Sequence, residues 1–236
     1  MGKSDIPSLT RDQMAEVDRI MVEELGIDLI QMMENAGRDL AELARRWLGG
    51  QVAGRRIAAL CGAGNNGGGG MVAARHLHNW GAEVQAVLAA EPAHLKEVPA
   101  HQWRILERLS LIGPTDLDLT QYDLILDALI GYGLQGNPNG MTADLILKAN
   151  QSAQPVIALD VPSGLDATLG LPGEPCMRAT ATLTLALPKT GLQSPAAKPF
   201  TGELYLADIS VPPEAYRKLG LEVHTPFVTD TIIKVN

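Results

Sequence analysis

Apolar residues recur with two different periods along this chain, and the period changes near residue 50. Before that point the spacing is helical. Thr10 and Gln13 form a capping box, and Met14, Val17, Ile20 and Met21 then share one face. After a break at Gly26, Asp28 is placed to cap a second helix. Its inward face carries Leu29, Met32, Met33, Ala36, Leu40, Leu43 and Ala44, and Gly49-Gly50 stops it. From Arg55 onward, short apolar runs predict strands at 57–61, 84–89, 124–128, 156–159, 181–187 and 203–207. Helices are predicted between them at 70–80, 99–109 and 142–150. Strands separated by helices of this length imply right-handed βαβ units and a parallel sheet covered on both faces. The expected organisation is a single domain over 1–236: two helices at about 10–49 and an α/β core at about 55–211. The last stretch, about 221–236, shows no periodicity and is expected to be a loosely attached tail.

Composition narrows the partners. The 236 residues suffice for one large α/β core, and the net charge of −8 disfavours non-specific nucleic-acid or anionic-membrane binding. Any anionic ligand must therefore be held by local backbone dipoles. No apolar run reaches the ~18 residues of a membrane span, and the N-terminus lacks the apolar stretch of a secretion signal. Cys61 and Cys176 show no metal-type spacing, so a cytoplasmic location is expected. His76 and His78, two apart, do not share a helix face and read as surface groups. Cys61 has no placeable histidine partner and does not read as a nucleophile.

Candidate chemistry gathers at three predicted strand ends, where ligands bind in open parallel sheets. The first is the run Gly62-Ala63-Gly64-Asn65-Asn66-Gly67-Gly68-Gly69-Gly70, which satisfies G-x-G-x-x-G at Gly62, Gly64 and Gly67. It is either a flexible connection or a phosphate-binding turn into a helix, and the adjacent asparagines favour a site for sugar hydroxyls or a cation. The second is Asp127 to Leu134, and the third runs from Asp160 to Asp166. Asp127 and Asp160 either cap the turns that follow or enter the crevice as cation ligand or acid/base group. Asn66, Asp127 and Ser163 together offer only oxygen donors, which suits a hard cation. With a single carboxylate, potassium fits better than calcium. Lys189 follows a strand, and either approaches the same crevice or is a solvated loop lysine.

The motifs Met33-Glu34-Asn35-Ala36-Gly37, Gly64-Asn65-Asn66-Gly67-Gly68, Asp127-Ala128-Leu129-Ile130-Gly131 and Asp160-Val161-Pro162-Ser163-Gly164-Leu165-Asp166 occur in this order. In order and spacing they resemble the NAD(P)HX epimerases, the YjeF N-terminal domain family, over residues 8–211. The resemblance implies a three-layer α/β/α Rossmann-like fold with a mostly parallel central sheet, usually dimeric. It implies interconversion of the R and S hydrates of NADH and NADPH (NADHX and NADPHX), with a separate dehydratase consuming one epimer. It also implies potassium (K+) ligands at Asn66, Asp127 and Ser163. Implied substrate contacts are Asn65, Asn66, Gly67, Gly68, Gly69, Gly131, Tyr132, Gly133, Leu134, Gln135, Gly136, Asn137 and Asp160. The hydrated ring is a hemiaminal, so hydroxide must leave with acid assistance and return to the opposite face with base assistance. Asp160 is the group assigned to both steps.

One position departs from the family pattern Asn-Asn-Gly-Gly-Asp-Gly: Gly69 stands where the pattern has Asp. An Asp there would either cap the helix at 70–80 or accept a hydrogen bond from the nucleotide. A weakened or inactive member serving as a nucleotide-binding or protein/RNA scaffold is therefore the alternative, and Asp127, Asp160 and Ser163 argue against it. An NAD-dependent oxidoreductase is a further alternative. However, Glu91 lies far from the glycine fingerprint, and no Tyr-x-x-x-Lys pair supports hydride transfer.

Overall fold

The computed structural model describes residues 6–235. Helix α1 (Arg11–Arg19) opens on the capping box, with the Gln13 amide N–H donating to Thr10 Oγ1 at 3.2 Å. A π-helical turn, Ile20–Glu24, follows directly. Helix α2 (Leu29–Trp47) buries Met32, Met33, Ala36, Leu40, Leu43 and Ala44 of the predicted inward face, while Leu29 at its first turn is half-buried. Then come β1 (Arg56–Cys61), α3 (Asn65–Asn79), β2 (Glu83–Leu88), α4 (Glu97–Arg108), β3 (Leu124–Ala128), α5 (Gly140–Ser152) and β4 (Val156–Leu159). The chain finishes with β5 (Ala181–Leu185), the short α6 (Lys198–Thr201), β6 (Glu203–Ala207), α7 (Pro213–Lys218) and β7 (Ile232–Lys234).

The sheet order is β2-β1-β3-β4-β5-β6-β7, parallel except for the antiparallel pairing of β6 with β7. Alternation along β1 shows the layering. Ile57, Ala59 and Cys61 pack with α2, α3 and α4, whereas Ala58 and Leu60 pack on the other face with Leu145, Ile146 and Ala149 of α5. The fold is thus a three-layer α/β/α Rossmann-like one. No helix among the described residues is long and apolar enough to cross a membrane.

Two expectations are corrected here. The glycine run is not a loop before a helix at 70–80, because α3 already begins at Asn65, capped by Gly64. Tertiary contact explains this. A side chain at Gly67 would overlap the Gly62 carbonyl, and one at Gly68 would overlap Met33. At Gly70 a Cβ would stand 2.5 Å from that of Ala128. The glycines let α3 lie against β1, β3 and α2, and that packing overrides their poor helix propensity. The C-terminal stretch is likewise not a loose tail. Ile232 pairs with Ala207, and the Thr231 hydroxyl donates to Asp39 at 2.8 Å. Three residues are too few to show a period, which is why the strand is invisible in the sequence.

Candidate active site

A cavity of about 390 Å³ lies over the C-terminal ends of β1, β3 and β4. Met14 and Asp18 of α1 and Leu29, Met32 and Met33 of α2 form one wall. Asn65, Asn66 and Gly69 of α3 form another, with residues 129–133, Asp160 and Lys189 completing it.

Asp160 ends β4 in the left-handed region, φ +68°, and the Val161 amide donates to the Leu159 carbonyl across it at 2.9 Å. This tight γ-type turn is a strained conformation for a residue with a Cβ, of the kind that clusters at functional sites. It aims the carboxylate into the cavity while leaving Asp160 only 3% exposed. Both its oxygens are held. Oδ1 is ion-paired with the Lys189 ammonium, and Oδ2 accepts the Tyr132 amide N–H at 2.9 Å. Lys189 is fully buried and also donates to the Leu185 carbonyl at 2.8 Å. Its backbone is fixed by the N-terminal segment. The Leu9 amide donates to the Pro188 carbonyl at 2.8 Å and the Thr190 amide to the Leu9 carbonyl at 2.9 Å. The crevice reading of Lys189 therefore holds and the solvated one does not.

Asp127 and Ser163 fall outside the cavity lining, and both are fully buried. The Ser163 hydroxyl donates to Asp127 Oδ1 at 2.6 Å and its amide to Oδ2 at 2.8 Å. The Leu129 amide adds a third bond, to Oδ1, at 3.2 Å. Burial pushes the Asp127 carboxyl up to about 6, against the opposing pull of these donors. No cationic side chain among the described residues pairs with it. Asn66 stands at the Gly131 turn beside Asp160, and its amide nitrogen is buried without a partner. Among the described residues, no group of three or more His, Cys, Asp or Glu side chains could hold a metal ion.

The remaining assignments divide. Asn65, Asn66, Gly69, Gly131, Tyr132, Gly133 and Asp160 line the cavity. Gly67 and Gly68 do not; they are packed inside α3. Leu134, Gln135, Gly136 and Asn137 also fall outside its lining. The Leu134 carbonyl turns toward Arg11, and Asn137 accepts the Glu174 amide at 3.1 Å. Gly69 is the fifth residue of α3, so a side chain there cannot cap that helix. Its Cβ would meet Leu159 Cδ2 at 2.8 Å, on the cavity wall. His76 is not a plain surface group, since its ring nitrogen lies 2.8 Å from Glu34. Burial pushes the Cys61 thiol up to about 12, which leaves it inert.

Sequence reasoning missed Asp18. Its carboxylate accepts the Tyr132 hydroxyl at 2.6 Å, and burial holds it above the usual carboxylate range. A signal existed: Asp18 stands four residues after buried Met14, on the inward face of α1.

A parallel α/β sheet with a strained carboxylate and a buried lysine at its strand ends defines a Rossmann-like protein with its polar groups in the crevice. A family model described as YjeF-related protein N-terminus matches residues 29–191, and the chain belongs to that family. An NAD(P)H-hydrate epimerase of Dehalogenimonas lykanthroporepellens is 44% identical, over 98% of this chain and 93% of that protein. A bifunctional NAD(P)H-hydrate repair enzyme of Moorella thermoacetica is 40% identical, over 86% of this chain but 40% of its own length. The crystal structure of a yeast protein superposes with a TM-score of 0.81 at 23% identity, over 97% of this chain and all of that one. That likeness concerns the fold.

Proposed function

We propose that this chain is an NAD(P)H-hydrate epimerase, interconverting the R and S hydrates of NADH and NADPH. The observation that carries the reading is the Asp160–Lys189 pair, buried but open to the cavity at the carboxylate. Loss of the hydroxyl from the hydrated ring needs a proton delivered to it. Return of water to the opposite face needs a proton removed. Asp160 is positioned to exchange that proton with the substrate, and Lys189, bonded to its other oxygen, can supply and recover it. The start of α3, where Gly64 and Asn65 line the cavity, turns the positive end of a helix dipole toward it, which suits a phosphate.

Potassium fits the residues present. Asp127 is a buried carboxylate with no cationic partner among the described residues, bonded to the Ser163 hydroxyl, and Asn66 at the Gly131 turn would add an amide oxygen to make an all-oxygen donor set. Asp127 and Ser163, with Asn66, would hold the ion, which would supply the missing positive charge and tie three loops together. A homodimer working beside a dehydratase completes the reading.

The test is a coupled assay with mixed NADHX epimers and a dehydratase that consumes only one. Adding this chain should allow the whole mixture to be consumed. A persistent residue of the unreactive epimer would overturn the proposal.

A further inference from the structure

We infer that Asp18 is a positioning residue for the proposed epimerase reaction, acting through Tyr132 on the Asp160 carboxylate. Asp18 lies outside the 29–191 segment that the family model matches. The argument rests on one residue bonded at both ends. The Tyr132 amide donates to Asp160 Oδ2 at 2.9 Å, and its phenol donates to Asp18 Oδ2 at 2.6 Å. Tyr132 stands between Gly131 and Gly133, and around Gly133 there is open space. Glycines on both sides leave the 132 peptide free to rotate, and a rotation of a few tens of degrees would take its N–H off Asp160. The phenol is the lever that prevents this, provided that its anchor is rigid.

Asp18 supplies such an anchor. It sits in the last turn of α1, whose first residue is tied down where the Arg11 amide donates to Thr168 Oγ1 at 2.9 Å. The next turn is π-helical, a feature that marks functional positions in helices more often than chance. A carboxylate accepting a phenol forms a charge-assisted bond, stronger than one between neutral groups. A simple staple between α1 and the loop at 131–133 would contain the same bond. It would not, however, require Asp160 to sense the loss of the phenol.

Asp18→Ala, Asp18→Asn, Tyr132→Phe and the Asp18→Ala/Tyr132→Phe double variant of the full chain separate these cases. Asp18→Ala and Tyr132→Phe should each lower kcat about 10- to 100-fold with KM nearly unchanged, the usual effect of misplacing a catalytic group. The double variant should fall no lower than the worse single, because the residues act as one unit. Asp18→Asn should keep most of the rate, since its amide oxygen can still accept the phenol. Wild-type kcat in Tyr132→Phe, multiplying effects, or equal losses in Asp18→Asn and Asp18→Ala would overturn the inference.

A second measurement does not depend on turnover. Hydrogen exchange at the Tyr132 amide should speed up in Asp18→Ala but not in Asp18→Asn. Unchanged exchange in Asp18→Ala would also overturn it. An inactive wild-type chain would instead remove the epimerase reading, and exchange would still decide whether Asp18 anchors Tyr132.

Discussion

Asp160 and Lys189 are worth more as a pair than as the sum of two side chains. Asp160→Asn should keep the fold and lower epimerase turnover by roughly 10²–10⁴, the usual share of one acid/base group. Each single change also costs stability, because Lys189→Met leaves a 3%-exposed carboxylate without its cation and Asp160→Asn leaves a fully buried ammonium without its anion. Breaking one side of a buried ion pair costs about 3–5 kcal/mol. The Asp160→Asn/Lys189→Met double variant should regain part of that loss in denaturant unfolding; equal or greater instability would contradict the pairing. Asp127 carries a different expectation. Its carboxyl is raised to about 6 from an ordinary 3.8, so the stability due to its neutral form is full below 3.8. That stability is lost as pH rises through 6. The loss is on the order of 3 kcal/mol, and a cation bound there would offset it. Replacing tetramethylammonium by potassium should therefore raise the melting temperature more at about pH 7.5 than at about pH 4.5. An equal rise at both would argue against potassium beside Asp127. Asp127 and Asp160 were legible in the sequence because each ends an apolar strand. Lys189 was ambiguous, since only tertiary structure decides whether a lysine after a strand meets water or a carboxylate.

At the scale of elements, the approach of α2 to α3 depends on small residues. A Cβ at Gly37 would overlap Val72 and stand 2.5 Å from the Gly69 carbonyl oxygen. Helix propensity alone favours Gly37→Ala by about 1 kcal/mol. Forcing atoms into a packed contact costs about 1–3 kcal/mol, and a backbone oxygen yields little. The packing term wins, so Gly37→Ala should lower stability; a raised melting temperature would show that α2 and α3 are looser than described. The same competition explains where sequence reading failed. Four consecutive glycines at 67–70 give up roughly 4 kcal/mol of helix propensity relative to alanine. Local rules therefore start the helix only at the last of them, Gly70, whereas the packed structure starts it at Asn65. The strands at 124–128 and 156–159 matched to the residue because buried parallel strands write apolar runs bounded by polar turns, and the strand at 203–207 also matched although it is only partly buried.

For the molecule as a whole, the parallel sheet and its layering followed from the βαβ rhythm, while the strand order and the antiparallel β7 did not. A short edge strand placed by a long connection leaves almost no local trace. One feature of the assembled chain bears on how it comes to exist at all. Residues 9 and 189 are bridged, and the lysine so held neutralises a carboxylate already fixed at the end of β4. A nascent chain shorter than about 189 residues would carry Asp160 with no cation to bury beside it. Its N-terminal segment would also lack residues 188–190, on which Leu9 docks. Closing a loop of this span is slow, since its entropy must be lost before any contact rewards it. The helices and inner strands can therefore form while the chain is still being made. The Asp160–Lys189 pair can close only once the chain has been made as far as residue 189.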